Sequence, residues 1–157
     1  MKPQRKFMER AIRKAQAAAR AGDYAIGAVL VWENEIISVS ASRSKRDENP
    51  IAHAETLAII KASKKLKTRH LINCVLYTTH EPCPMCAAVA VWARLKGVVY
   101  GSRQNDMKKY RLTNGNQHYR WRTIDIPCKQ IFAKSTEKIQ LIEDFMRTEC
   151  MQLFHNK

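Results

Sequence analysis

The spacing of apolar side chains divides the first third of the chain into one helix and two strands. Residues 3–20 carry an apolar stripe at helical spacing with a charged face opposite to it, which predicts an N-terminal helix. The nearly continuous apolar run over 26–32 indicates a buried strand. Glu33 and Asn34 then turn the chain into a second strand over 36–41. This part of the chain is therefore predicted to form a helix followed by a β-hairpin.

The rest of the pattern alternates between helices and strands. The predicted helices cover residues 53–67, 83–95, 127–133 and 145–154, and the predicted strands cover 73–79, 98–101 and 138–142. Residues 102–123 have a weak, polar pattern, and the segment 114–116 marks a turn. A hairpin followed by alternating helices and strands is typical of a three-layer α/β domain.

Two cysteines lie at the point where the third predicted strand passes into a helix. Cys83 and Cys86 are separated by two residues, and His53 opens another predicted helix about thirty residues upstream. Thiolates at a helix N-terminus are stabilised by the positive end of the helix dipole and by free backbone N–H groups. If the two helices begin side by side, one imidazole and two thiolates meet there.

One histidine and two cysteines provide three protein ligands, which is the number that a catalytic zinc ion requires. The fourth tetrahedral position then stays open for water, whereas a structural zinc site is closed by a fourth side chain. Glu55 follows His53 by two residues, so we expect it to be a neighbour of the metal and not a ligand. A carboxylate in that place takes a proton from an activated water molecule and returns it to a leaving group.

Each of these residues also has an ordinary explanation. A lone C-x-x-C sequence is compatible with a redox pair, and a lone histidine in an apolar stretch is more often part of the core. A redox protein that uses Cys83 and Cys86 has no need of His53 or Glu55. A binding module that keeps zinc only for structure has no need of Glu55 either. The four residues together therefore favour a catalytic metal site.

Length and cysteine content indicate the kind of protein and its compartment. The chain has 157 residues and an apolar share of 45%, which suits a single globular domain over 1–157. Five cysteines are an odd number, which argues against a disulfide framework and indicates a reducing compartment. The N-terminus lacks the apolar core of a signal peptide, and the longest apolar run, 85–93, is too short to span a membrane. We therefore expect a soluble, cytoplasmic protein.

The net charge of the chain is unusual. Lysine and arginine number 28 against 14 acidic residues, a formal net charge of +14, which favours a polyanion such as RNA as a partner. A lysine-rich solvated surface is the simpler explanation, because the basic residues are spread along the chain. An RNA-binding surface usually interleaves aromatic with basic residues. One such cluster is present, formed by Lys108, Lys109, Tyr110, Arg111, Tyr119, Arg120, Trp121 and Arg122.

The arrangement H-x-E followed by P-C-x-x-C is the signature of zinc nucleobase deaminases, and it is unbroken here. It consists of His53, Glu55, Pro82, Cys83 and Cys86. Over about residues 7–155 the chain resembles the cytidine and deoxycytidylate deaminase superfamily, in the branch that holds guanine deaminases and tRNA adenosine deaminases. The resemblance implies a five-stranded mixed sheet with helices on both faces, adjacent zinc-binding helices and a homodimer.

The resemblance also implies substrate contacts, but it leaves two substrates open. Backbone donors at Ala54 and Cys83 are expected to hold the base, and Ser42 stands where this branch commonly has a ribose- or base-contacting asparagine. The turn 81–86 and Asp106 resemble guanine deaminases, in which an acidic residue beyond the fourth strand lies in the substrate pocket. The stretch 98–101 and the positive charge resemble the tRNA enzymes.

From these features we predict zinc-dependent hydrolytic deamination of a purine with release of ammonia. His53, Cys83 and Cys86 are the predicted zinc ligands, and Glu55 is the predicted proton carrier. Ser42, Ala54 and Asp106 are the predicted substrate contacts. A free purine base or nucleoside is the favoured substrate at this point, and an adenosine in a tRNA loop is the alternative.

Overall fold

The computed structural model describes residues 1–114 and 123–154, which form a five-stranded sheet with helices on both of its faces. The strands are β1 (Gly27–Trp32), β2 (Glu35–Ala41), β3 (Cys74–His80), β4 (Gly97–Ser102) and β5 (Gln140–Ile142). The helices are α1 (Arg5–Arg20), α2 (Ala54–Leu66), α3 (Pro84–Trp92), α4 (Gln104–Asn114), α5 (Cys128–Ala133) and α6 (Arg147–Gln152). This architecture confirms the predicted three-layer α/β class.

The sheet is mixed, as the resemblance implied. Its strand order is β2-β1-β3-β4-β5. Strand β1 pairs antiparallel with β2 and β3, whereas β3 with β4 and β4 with β5 are parallel pairs. The start of β1 and the C-terminal ends of β2, β3 and β4 therefore lie at the same end of the sheet. In open α/β sheets, ligands bind at the end of the sheet where the carboxyl ends of the strands lie.

Both faces of the sheet are buried, because alternate strand residues pack against different helices. Leu30, Leu76 and Val98 join the core cluster that includes residues of α2, α3 and α5. Their neighbours in sequence, Val29, Tyr77 and Val99, belong to the cluster on the opposite face, together with residues of α1. Since successive side chains of a strand point to opposite faces, strands buried on both sides read as continuous apolar runs. This explains the unbroken apolar pattern of β1.

Helix α1 is the longest helix of the described part of the chain, with 16 residues. Its apolar side, which includes Phe7, Met8 and Ala11, packs on the sheet, while arginine and lysine residues occupy the opposite side. Within residues 1–114 and 123–154, none of the helices has both the length and the apolar character needed to cross a bilayer.

Helix α4 lies in the segment whose weak, polar pattern predicts no helix. Its first turn is held by two carboxylates: Glu81 accepts the backbone N–H of Gln104 at 2.9 Å, and Asp106 accepts that of Arg103 at 2.8 Å. The predicted turn over 114–116 lies outside the described residues except for its first residue. Residues 119–122, which belong to the predicted cluster of aromatic and basic residues, also lie outside the described residues.

Candidate metal centre and active site

The three predicted zinc ligands lie together at the starts of two adjacent helices. His53 is the N-cap residue of α2, Cys83 is the N-cap residue of α3, and Cys86 lies in the first turn of α3. The Nδ1 atom of His53 is 3.6 Å from Sγ of Cys83 and 3.5 Å from Sγ of Cys86. Pro84 at the first position of α3 costs no hydrogen bond there, because that N–H has no helical acceptor.

These distances fit a zinc ion. With Zn–N about 2.0 Å and Zn–S about 2.3 Å, the nitrogen–sulfur edge of a tetrahedron is about 3.5 Å long. The ligand atoms of the three side chains all lie within 4.8 Å of one another. Among the described residues, no fourth histidine, cysteine, aspartate or glutamate joins this group. The donor set is therefore that of a catalytic zinc site, which keeps one coordination position open.

Glu55 lies beside the three ligands in a nearly dry environment. Its side chain is buried, at 3% exposure, and its Oε2 atom has no hydrogen-bond partner among the described residues. Burial raises the pKa of Glu55 to about 7, although the neighbouring His53 opposes that rise. A carboxyl group that ionises near neutral pH can both accept and donate a proton at that pH. The carboxylate is thus placed for proton transfer.

The two cysteines differ in their surroundings. Cys83 is half-buried, and a hydrogen bond from Cys86 holds the pKa of the Cys83 thiol well below its usual range, assisted by His53. Cys86 is fully buried, and its bond to Cys83 together with burial raises its pKa in the metal-free protein. One of the two sulfurs is therefore already stabilised as a thiolate by the geometry of the α3 N-terminus.

A cleft of about 990 Å³ lies over this centre. Its lining includes Glu55 together with the predicted metal ligands His53 and Cys83. The loop that follows β2 contributes Lys45 and other residues to the lining, and Gln104 at the start of α4 lines the cleft as well. The cleft therefore extends well beyond the space next to the three ligands.

Two of the three predicted substrate residues line the cleft. Ala54 occupies the first position of α2, where a backbone N–H has no helical acceptor. Ser42 is buried at the end of β2 and donates its hydroxyl hydrogen to Oδ1 of Asp23 at 2.8 Å. The hydroxyl oxygen is therefore the part of Ser42 that is available as an acceptor. The role of both residues in binding stays a prediction.

Asp106 is not among the residues that the structure brings to the cleft. Its carboxylate is buried in the first turn of α4, where Nε of Arg147 donates to it at 2.9 Å. Burial raises the pKa of Asp106, but the bonds from Arg147 and from the backbone of Arg103 more than offset that effect and hold the pKa below its usual value. Asp106 thus joins α4 to α6, and its place in the substrate pocket stays a prediction.

Asp23 is a site-organising residue that the sequence pattern did not indicate. It is buried directly after α1 and accepts the backbone N–H groups of Lys45 and Arg46 at 3.2 and 3.1 Å, in addition to the Ser42 hydroxyl. One carboxylate therefore fixes the loop on the side of the cleft. In the sequence, a Gly-Asp pair after a helix indicates only where the helix ends. The role of Asp23 in holding the loop could therefore not be predicted from it.

His80 is a second residue of the cleft that the sequence did not single out. Ser102 uses its hydroxyl hydrogen to reach the carbonyl oxygen of Thr79 at 3.0 Å, so the bond of 3.1 Å to His80 requires Nδ1 to donate. Burial lowers the pKa of His80 to about 4, and the ring is therefore neutral at pH 7. The tautomer is fixed as well, with the proton on Nδ1.

Comparison with known proteins places this geometry in context. A family model described as the cytidine and deoxycytidylate deaminase zinc-binding region matches residues 1–102. The tRNA-specific adenosine deaminase of Buchnera aphidicola subsp. Baizongia pistaciae is 32% identical over 149 residues, which cover 94% of this chain and 83% of the relative. The guanine deaminase of Bacillus subtilis is 35% identical over 125 residues, covering 79% of this chain and 78% of the relative.

A solved structure from work on A-to-I editing by tRNA:A34 deaminases at the wobble position has the same fold. It superposes with a TM-score of 0.78 at 26% identity, covering 96% of this chain and 99% of the other. The matched family region contains all four residues of the metal centre, His53, Glu55, Cys83 and Cys86. The similarity therefore includes the centre itself as well as the surrounding sheet.

Proposed function

The chain belongs to the cytidine and deoxycytidylate deaminase family and is a zinc-dependent hydrolytic deaminase, and from that premise we propose that its substrate is an adenosine in tRNA. The product would be inosine, with release of ammonia. The observation that carries this proposal is the similarity to a tRNA-specific adenosine deaminase over 94% of the chain. The sequence alone favours a free purine over tRNA, but the similarities to known proteins do not favour that order.

The dimensions of the cleft and the net charge of the chain support a large, anionic substrate. A volume of about 990 Å³ lies at the upper end of the range for small-molecule sites, far more than one purine ring fills. The cleft lining carries Lys45 together with the carboxylates Glu48, Glu55 and Glu81, so the positive charge that favours RNA is that of the whole chain, +14. A strongly basic protein attracts a phosphate backbone.

The residues of the centre have separate roles in the proposed reaction. His53, Cys83 and Cys86 would hold zinc, which makes water nucleophilic at neutral pH. Glu55 would take one proton from that water and pass it to the ring nitrogen next to the amino-bearing carbon. It would then take the remaining proton of the hydroxyl group that has added to this carbon and give it to the amino group, which leaves as ammonia. The backbone N–H of Ala54, at the start of α2, would orient the base. Burial of Glu55 keeps bulk water from competing for these protons.

A substrate panel tests the proposal. The zinc-loaded protein is incubated with an anticodon stem-loop that carries adenosine at the wobble position, and with free guanine, guanosine, adenosine, cytosine and cytidine. We expect inosine in the stem-loop, measured by mass spectrometry, at a kcat/KM at least about 100-fold above that for any free compound. The rate on RNA should also fall steeply as salt is added, because phosphate contacts release counterions.

Free guanine is the second candidate, favoured by the similarity to the Bacillus subtilis guanine deaminase. A stem-loop with guanosine at the same position serves as the matched control for the RNA substrate. Ammonia release from free guanine at a salt-independent rate, with no inosine in the adenosine stem-loop, would contradict the tRNA proposal. The deaminase chemistry itself would be unaffected by that outcome.

We further propose that the protein is a homodimer that uses the outer side of α3. Trp92 is 81% exposed at the end of this helix, and α3 contains no charged residue, which is unusual in a chain with so many lysines and arginines. Contiguous exposed apolar surface often marks an interaction site. Burying this side against a second copy would bring together two neutral surfaces of a strongly basic protein.

Substitution of Trp92 with glutamate is expected to convert the dimer to a monomer, because each copy would bury a charge in the interface. Light scattering coupled to size-exclusion chromatography measures the mass directly. Ile72→Glu, at a residue that is 54% exposed and distant from α3 in sequence, is the control and should leave the mass unchanged. A wild-type protein that is monomeric at micromolar concentration would refute the proposal.

A further inference from the structure

Thr56 contacts the metal centre in a way that neither the signature nor the proposed reaction requires. It lies on α2, directly after Glu55, and its side chain is buried, at 6% exposure. Its Oγ1 atom is 3.5 Å from Sγ of Cys86, within the range of a hydrogen bond to sulfur. Among the described residues, this sulfur is the one hydrogen-bond partner of the Thr56 hydroxyl.

The direction of this hydrogen bond depends on the metal. In the metal-free protein either the thiol or the hydroxyl can donate. A cysteine that binds zinc is a thiolate and has no hydrogen, so Thr56 must then be the donor. A buried hydroxyl without a partner is costly, and donation to the thiolate removes that cost. Metal binding and this bond therefore stabilise each other.

The other donors around the two sulfurs serve Cys83 first. Cys83 is at the N-cap of α3, where the backbone N–H of Cys86 is directed at its sulfur. Cys86 lies deeper and is fully buried, so water cannot supply a donor to it. The hydroxyl of Thr56 fills this position from the neighbouring helix.

We propose that Thr56 is a positioning residue of the metal centre: its hydroxyl donates a hydrogen bond to the Cys86 thiolate and thereby orients this ligand and strengthens zinc binding. Outer partners of metal ligands commonly contribute about 10- to 100-fold to metal affinity or activity. The inference rests on the zinc site and not on the choice of tRNA as substrate. Zinc affinity measured without any substrate therefore tests it separately.

The test compares Thr56→Val, which keeps the shape but removes the hydroxyl, with Thr56→Ser, which keeps the hydroxyl. Zinc dissociation constants are measured by competition with a chelator of known affinity. We expect Thr56→Val to bind zinc about 10- to 100-fold more weakly and Thr56→Ser to stay within about threefold of the wild type. With cobalt in place of zinc, the thiolate-to-cobalt absorption band should shift in Thr56→Val only.

Thr78→Val is the matched control, because Thr78 is also buried but donates to the carbonyl oxygen of His80. It should leave the zinc affinity and the cobalt band unchanged. Equal zinc affinity in Thr56→Val and the wild type would overturn the proposal, as would an equal loss in Thr56→Val and Thr78→Val. If Thr56→Val fails to fold, Thr56→Ala is compared with Thr56→Ser, and the same cobalt shift in both variants would overturn it.

Discussion

Replacement of Glu55 with glutamine is expected to lower kcat by about 10²- to 10⁴-fold while the protein keeps its zinc. Glutamine has nearly the same shape as glutamate but cannot accept and return a proton. The Glu55 carboxylate is buried beside the three ligands, and its Oε2 atom is bonded to none of the described residues. The substitution therefore removes proton transfer and leaves the ligand set intact. Turnover is measured by ammonia release, and zinc content by atomic absorption on the same sample.

The zinc measurement separates the two roles that Glu55 could have. A metal content equal to that of the wild type, with turnover lost, identifies Glu55 as a proton carrier. Loss of metal together with turnover would instead show that Glu55 is a ligand. Glu33→Gln, in the turn between β1 and β2, is the control for loss of one acidic charge from a strongly basic chain. It should retain both zinc and activity.

The metal centre could be predicted because its four residues occupy positions that depend only on nearby sequence. His53 and Cys83 are N-cap residues, and Glu55 and Cys86 lie in the first turns of the same helices. The short spacings at the starts of two helices therefore predict each half of the cluster. The two halves meet only if the helices begin side by side, which the sequence analysis had to assume. The contacts between His53 and both sulfurs confirm that the helices do so.

The fold was predictable where burial produced a clear apolar period. All five strands were expected within a few residues of their positions, because both faces of the sheet are covered. The helix predicted to reach residue 95 ends at Trp92, since Arg94 adopts a left-handed backbone conformation with φ of 55°. Local sequence gives only a weak indication of such an end.

Contacts between distant segments account for what the sequence did not reveal. The start of α4 depends on Glu81, which is 23 residues away from Gln104. The loop on the side of the cleft depends on Asp23, which is 22 residues away from Lys45. The residues next to these carboxylates in sequence do not indicate which backbone N–H groups they accept. A buried acidic residue becomes meaningful only when its hydrogen-bond donors are known.

Removal of zinc is expected to abolish turnover and, at the same time, to expose one reactive thiol, that of Cys83. Cys83 is half-buried and lines the cleft, whereas the other cysteines, Cys74, Cys86, Cys128 and Cys150, are buried. Burial raises the pKa of Cys74 to about 11 and that of Cys150 to about 12, which makes both thiols poor nucleophiles. Zinc bound to the Cys83 sulfur would protect it, so chelation should remove activity and protection together.

The experiment treats the native protein with a chelator and then with iodoacetamide, and identifies the alkylated residue by mass spectrometry. We expect Cys83 to react at least about tenfold faster after chelation, and zinc added before the alkylating reagent to restore both turnover and protection. Cys74→Ala is the matched control, because it removes a buried thiol outside the centre and should change neither property. Rapid alkylation of Cys83 in the zinc-loaded, active protein would mean that its sulfur does not bind the metal. Two ligands would then remain where a catalytic zinc site needs three, so this outcome would overturn the assignment of the whole centre.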